Sequence, residues 1–254
     1  SINSVTVGNA SGSLTWTPGS DNGFPITGYR LEYATNSSNG PWTAWLANTA
    51  NTATSFSGAL VNDTTYYFRV AAINAIGTGT PSSATDGYTP LPTPSAPQSL
   101  VVTPSASQTL ALAWAAPATA AANVTGYIVE TSNDGITWAS ATTSPATLSA
   151  GNTGATISGL TNGALIYVRV TATAASGNSS GIVRTGVPAD VPAQVTTLAG
   201  ASANGGAALS WSAPSSNGAP IIGYAVEAEI NGSWDSVTAS TGNNATFYSA
   251  TRVG

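Results

Sequence analysis

The chain has 254 residues, 42% apolar and only 6% charged, with ten acids against five bases and a net charge of −5. Cys, His and Met are absent, and the bases are all arginines (Arg30, Arg69, Arg169, Arg184, Arg252), so Lys is absent too. This inventory excludes disulfides, thiolate nucleophiles and Cys-based zinc sites, Ser-His and Cys-His triads and lysine Schiff bases, and it disfavours nucleic acid and polybasic membrane contacts, which need clustered Lys and Arg.

Taken in chain order, the pattern is β. Ser13-Leu14-Thr15-Trp16 alternates apolar and polar, which predicts a half-buried strand. Tyr29-Arg30-Leu31-Glu32-Tyr33 alternates as well, with Tyr29, Leu31 and Tyr33 on one face and Arg30 and Glu32 on the other. Tyr66-Tyr67-Phe68-Arg69-Val70 places Tyr66, Phe68 and Val70 inward. The series then repeats: Leu110 to Trp114 is a strand, Val124-Thr125-Gly126-Tyr127-Ile128-Val129-Glu130 is another, and Ile166 to Val170 matches Tyr66 to Val70. A third copy begins at Ala208-Leu209-Ser210-Trp211 and continues through Ile221-Ile222-Gly223-Tyr224-Ala225-Val226-Glu227. Turn signals such as Pro-Gly, Asp-Asn-Gly and Asn-Gly fall between the strands, and no segment carries a helical period.

The repeat is just under 100 residues long. Tyr29, Tyr127 and Tyr224 mark it, each 13 residues after a tryptophan (Trp16, Trp114, Trp211), with Glu32, Glu130 and Glu227 in step. A second tryptophan follows in each unit: Trp42 or Trp45, then Trp138, then Trp234. About seven short strands in such a length predict an antiparallel sandwich.

These units resemble fibronectin type III domains of the bacterial extracellular kind. The resemblance rests on a Trp closing the second strand, the Gly-Tyr-x-[Val/Leu]-Glu pattern and the second Trp. It rests also on Leu60-Val61-Asn62-Asp63-Thr64-Thr65-Tyr66, which is similar to the family's tyrosine corner. In the second unit the tyrosine position is Ile166, so the corner's hydroxyl bond is expected to be absent there. The resemblance implies an all-β chain of tandem immunoglobulin-like β-sandwiches. Domain 1 is expected at 1–89, domain 2 at 95–188 and domain 3 at 190–254. The joins, with prolines at 90, 92, 94 and 97 and again at 188 and 192, are expected to act as semi-rigid spacers. In the third unit Thr246-Phe247-Tyr248-Ser249 reads as strand E, the next corner falls near Val253, and strands F and G are expected to be missing. A longer parent chain, a strand from a neighbouring subunit, or a shortened domain would each account for that.

No chemistry is expected. The ten acids form no pair that recurs between units, Glu227 and Glu229 read as a surface face, and Asp21-Asn22-Gly23 and Asn133-Asp134-Gly135 read as turns rather than calcium loops. Catalytic, cofactor and metal sites are therefore predicted to be none. Sequons at Asn9, Asn36, Asn62, Asn123, Asn178, Asn231 and Asn244 are what an Asn-, Ser- and Thr-rich chain contains by chance. Trp42 and Trp45 stand three apart, so on a strand they face opposite ways. One of them is the candidate partner contact, for sugar or a neighbouring subunit; the alternative is packing at the domain's own edge. No stretch of 18 apolar residues exists that could insert in a membrane as a helix.

The absence of easily oxidised sulfur and the scarcity of tryptic sites suggest a durable secreted material, with biased genomic composition as the other explanation. The expected function is a non-enzymatic extracellular or cell-surface structural and adhesive rod, part of a fibre, surface layer or stalk. The alternative is a spacer or carbohydrate-binding accessory module of a larger secreted enzyme or adhesin. Expected partners are protein, through self-association or continuation of an array, with glycan as the second class.

Overall fold

The computed structural model describes residues 1–203, 205–230 and 232–251. Unit one is built from β1 (Ile2–Gly8), β2 (Ser11–Trp16), β3 (Gly28–Thr35), β4 (Thr43–Leu46), β5 (Ser55–Ala59) and β6 (Tyr66–Ile73). They form two three-stranded antiparallel sheets, β1-β2-β5 and β4-β3-β6. The expected seventh strand is irregular: in segment 79–88 the Ser82 and Thr85 amides donate to the Val70 and Phe68 carbonyls. In return the Val70 and Phe68 amides donate to the Ser82 and Thr85 hydroxyls, at 3.2 and 3.0 Å. Side-chain oxygens thus replace ladder carbonyls along this edge.

Unit two contains β7 (Gln98–Ala106), β8 (Thr109–Ala115), β9 (Val124–Ser132), β10 (Ala139–Ser140), β11 (Thr143–Ser144), β12 (Gly154–Ile157), β13 (Ile166–Ala174) and β14 (Ile182–Gly186). Its sheets run β11-β12-β8-β7 and β10-β9-β13-β14, and a single 3-10 turn, Ala121–Asn123, precedes β9. Unit three shows β15 (Leu198–Ala203), β16 (Gly206–Trp211), β17 (Val226–Ile230), β18 (Ser233–Thr238) and β19 (Phe247–Thr251), in sheets β15-β16-β19 and β17-β18. β19 pairs with β16 as β5 pairs with β2, which gives it the strand E position expected from Thr246 to Ser249. The corner position near Val253 lies outside the described residues.

Each core sits between two sheets. In unit one Leu14, Trp16, Leu31, Tyr66, Phe68 and Val70 are all buried; in unit two their places are taken by Leu112, Trp114, Val129, Ile166, Val168 and Val170. At these positions the alternation read from sequence is the alternation of burial; β3 departs from it, with Glu32 buried and Tyr33 half-buried. The tyrosine corner is present in unit one, where the Val61 amide donates to the Tyr66 hydroxyl at 3.0 Å. In unit two Ile166 fills the same place with carbon alone, and it is buried. Both corners share a second device: the Asn62 and Asn162 side-chain oxygens each accept, at 2.7 Å, from the amide at the β1–β2 or β7–β8 turn, Ala10 and Gln108.

The proline-rich joins are fixed to the units at either side. The Pro90 carbonyl accepts from the Asp63 amide and the Pro188 carbonyl from the Gly163 amide, each at 2.9 Å, so each join is pinned to the corner behind it. Pro92 then reaches forward: its carbonyl accepts from Asn123 Nδ2 at 3.1 Å and from the Ser176 hydroxyl at 3.0 Å. Pro90, Pro97 and Pro188 are buried.

Removing the corner hydroxyl in Tyr66→Phe leaves the Val61 amide without that partner. The change is expected to destabilise unit one by about 1–2 kcal/mol, read as a lower denaturation midpoint with an unchanged slope. An unaltered midpoint would show that the hydroxyl bond does not hold the corner.

Candidate functional site

The two candidate tryptophans, Trp42 just ahead of β4 and Trp45 within it, point in opposite directions, and both are half-buried. Trp45 turns inward. Its ring lies 5.0 Å from Phe56, edge-on, and 5.2 Å from Phe68, and its indole nitrogen donates to the Ala59 carbonyl at 3.1 Å. Room for it comes from two glycines that face each other in the β2–β5 register, Gly12 and Gly58. A Cβ on Gly58 would stand 2.8 Å from the Trp45 ring, and one on Gly12 would stand 3.3 Å from it. In unit two the same register positions carry Leu110 opposite Ile157, both buried. Unit one has exchanged a Leu-Ile pair in the sheet for two glycines and a tryptophan from the facing layer. The glycines were the sequence signal for an inward Trp45, and strand alternation alone does not show it.

Trp42 turns outward, and its position identifies it as the repeating second tryptophan. The Arg69 guanidinium lies 4.2 Å from the centre of its ring, and Arg169 lies 4.2 Å from the ring of Trp138. Each arginine also holds the acid of the repeat: Arg69 Nε to Glu32 at 2.6 Å and Arg169 Nε to Glu130 at 2.8 Å. In unit one Arg30 Nη2 adds a second contact to Glu32 at 2.7 Å. The result is a Trp-Arg-Glu stack on the outer face of the β4-β3-β6 sheet and again on β10-β9-β13. It buries Glu32, although that side chain points away from the core. Cation–π contacts of this kind contribute roughly 0.5–1 kcal/mol when exposed. The stack offers a flat, half-exposed aromatic and guanidinium surface.

In unit three the tryptophan and the acid of the stack are present. Glu227 pairs with Ser236 and Glu229 with Trp234, so Trp234 is diagonal to Glu227 as Trp42 is to Glu32. Trp234 is 68% exposed, and among the described residues no arginine lies over it.

The two acidic turns behave as turns. Asp21 Oδ1 accepts from the Gly23 amide at 3.1 Å. Asp134 Oδ1 accepts from the amides of Ile136 and Thr137 at 2.8 Å each and from the Ser132 hydroxyl at 2.7 Å. These bonds, the Ile136 amide foremost, hold the Asp134 carboxyl well below the usual carboxylate range. Among the described residues no three acids, histidines or cysteines gather where a metal ion could sit. Of the sequons, Asn62 Nδ2 donates to Asn9 Oδ1 at 2.7 Å and Asn123 Nδ2 binds the join, whereas Asn36 is exposed on a turn. Asn231 lies outside the described residues.

Two-sheet antiparallel units, each with a Trp-Tyr pair across the sandwich and, in units one and two, a corner before β6 and β13, define immunoglobulin-like beads. The family model described as Fibronectin type III domain matches residues 2–88 and 95–185, and the chain belongs to that family. The chain is 32% identical over 178 residues to fast-type myosin-binding protein C of Mus musculus, covering 69% of this chain and 15% of that protein. It is 39% identical over 75 residues to the neuronal cell adhesion molecule of Rattus norvegicus, 30% of this chain and 6% of the relative. These relatives are animal proteins, so they lend no support to the bacterial character of the resemblance. Among solved structures, the FN1-FN3 domains of chicken CNTN1 superpose with a TM-score of 0.52 at 16% identity, over 74% of this chain and 66% of that one, a likeness of fold.

Trp45→Ala is expected to destabilise unit one by about 3–5 kcal/mol, as loss of a large core side chain does. Adding Gly12→Leu and Gly58→Ile should recover most of that loss by refilling the space as unit two fills it. Trp42→Ala should cost about 1 kcal/mol or less. Denaturant unfolding measures all three, and equal losses at both tryptophans would refute the inward–outward assignment. For Asp134 the folded carboxyl titrates below its unfolded value, so its contribution is present above the ordinary carboxylate range and lost as pH falls through the folded value. Through the ordinary carboxylate range the folded Asp134 stays ionised, so the Ile136 and Thr137 amides should keep their protection there, whereas Asp134→Ala should expose both to fast exchange at neutral pH.

Proposed function

We propose that the chain is a non-enzymatic structural or adhesive segment, a row of fibronectin type III beads serving in a fibre, surface layer or stalk outside the cell. The observation that carries this is the double anchoring of the joins. Pro90 and Pro188 are each hydrogen-bonded to the corner behind them, and Pro92 is bonded to the unit ahead. A joining segment tied at both ends transmits load and spacing, whereas a flexible linker transmits neither. The names of the relatives, a myosin-binding protein and a cell adhesion molecule, support a mechanical or adhesive role for tandem units of this kind. The chain without Cys, His, Met or Lys supports both the absence of an active site and a durable secreted setting, bacterial surfaces included. Protein is the proposed partner, with the Trp42 and Trp138 faces as the contact surface; glycan stacking on the same rings is the second possibility to test.

In solution a compact chain of this length would have a radius of gyration of about 18 Å. Small-angle scattering should give a much larger value and a cross-section of one bead, and electron microscopy of the native polypeptide should show filaments or stalks. A radius near the compact value would end the rod proposal. Trp42→Ala and Trp138→Ala should weaken association without loss of folding, measured by sedimentation and glycan-array binding.

A further inference from the structure

Unit three receives its join through one short loop. Ser215 to Pro220 reads Ser-Ser-Asn-Gly-Ala-Pro. Its Asn217 carbonyl accepts from the Asp190 amide at 2.9 Å, and its Ser215 carbonyl accepts from the Ala193 amide at 2.9 Å. The Asn217 side-chain nitrogen donates to the Val191 carbonyl at 2.8 Å. Gly218 is pressed against the join: an added Cβ would stand 2.4 Å from the Pro188 carbonyl and 2.7 Å from the Gly163 amide of the corner behind.

Unit one carries the same loop at the same place. Ser20 to Pro25 reads Ser-Asp-Asn-Gly-Phe-Pro. Asn22 and Gly23 have φ of 52° and 89°, and Asn217 and Gly218 have 48° and 95°. The internal bonds correspond as well. The Asn22 amide donates to the Ser20 hydroxyl at 3.2 Å, as Asn217 does to Ser215 at 3.3 Å. The Phe24 amide donates to the Asp21 carbonyl at 3.1 Å, as Ala219 does to Ser216 at 3.3 Å. Yet the Ser20 and Asn22 carbonyls and the Asn22 side-chain nitrogen have no partners among the described residues, and no atom approaches the Gly23 Cβ position. Beside the loop lies a cleft of about 430 Å³ lined by Asp21, Asn22, Phe24, Asn74 and Ile76. Phe24 and Ile76 are 48% and 73% exposed there. Ile76 occupies the position of Ser176, the residue that binds Pro92 in unit two.

We infer that the Ser20 to Pro25 loop of unit one is a preformed receiving site for the proline-bounded joining segment of a preceding fibronectin type III unit in the same polypeptide, entering as Pro188 to Ala193 enters unit three. The receptor supplies two backbone acceptors and one amide donor in a fixed order, so it fits an extended segment with two free N–H groups three residues apart and a carbonyl between them. Proline suits the intervening positions because it holds the segment extended and needs no partner for a missing N–H. The apolar shoulders Phe24 and Ile76 suit the proline rings. The inference rests on the bead-array function proposed above and adds a defined contact to it.

The test places the ten residues 187–196 ahead of Ser1 in the full chain, which sets the added Asp and Ala in the register of Asp190 and Ala193. Amide exchange is then followed by NMR. The added Asp and Ala amides are expected to exchange at least about tenfold more slowly than in a free peptide, with protection similar to that of Asp190 and Ala193. Asn22→Asp keeps the left-handed turn but removes the side-chain donor, and should return the added amides to free-peptide rates. Free-peptide exchange in the added segment, with Asp190 and Ala193 still protected, overturns the receiving site alone. Loss of protection at Asp190 and Ala193 themselves overturns it together with the anchored-join basis of the rod. Equal protection from the same ten residues added as a separate peptide at micromolar concentration would overturn the in-chain source, because tethering supplies a local concentration of roughly millimolar.

Discussion

Every unit is organised around one contact between its two sheets. Trp16 meets Tyr29 at 5.1 Å, Trp114 meets Tyr127 at 5.3 Å and Trp211 meets Tyr224 at 4.9 Å, all edge to face at interplanar angles of 61–67°. The tryptophan lies at or next to the end of the second strand of one sheet, and the tyrosine lies in the third strand (Tyr29, Tyr127) or just before it (Tyr224), so the pair fixes how the layers sit. Such pairs contribute about 0.5–1.5 kcal/mol beyond the area they bury. The indole nitrogens of all three tryptophans are buried and have no hydrogen-bond partner. The pair is therefore held by shape and ring electrostatics rather than by a polar tether, and the strands on either side inherit their register from it.

Beyond that pair, each core can be filled in more than one way. Leu14 and Leu112 hold the same place, but two register positions away Gly12 and Gly58 in one unit stand for Leu110 and Ile157 in the next. The volume given up is supplied by Trp45. This is compensation at nearly constant packing, the condition under which cores tolerate exchange. It also shows that the extra tryptophan of the Trp42 and Trp45 pair was the inward one.

Much of this was legible in the sequence, because burial on a strand has a period of two and the Trp, Tyr and Glu markers recur with the fold's own period. The corner was legible as far as Tyr66 and its loss at Ile166. Three features were not. The seventh strand of unit one is broken because Ser82 and Thr85 bond through their hydroxyls, which composition does not reveal. The Trp-Arg-Glu stack joins residues on two strands with one just ahead of a third, and only pairing brings them together: Glu32 faces Arg69, and Trp42 lies one diagonal away. The anchoring of the joins depends on carbonyls of prolines meeting amides of a distant corner, which a reading of the prolines as stiff spacers does not contain.

The stack also explains why so few charges suffice. Three of the five arginines, Arg30, Arg69 and Arg169, are bound to Glu32 and Glu130, and the last two of those arginines cover tryptophans as well. A carboxylate as buried as Glu32 is tolerable only with its partners in place, so these positions cannot be neutralised singly, whereas the rest of the surface can be Ser, Thr, Asn and Ala. A surface of that kind has little long-range field, so salt screens little and steering by charge is weak. What distinguishes one face of a bead from another is then shape and local hydrogen-bonding order. Contacts between beads must be made by devices such as the Asn-Gly loop and the proline carbonyls, which work at contact distance, rather than by complementary charge.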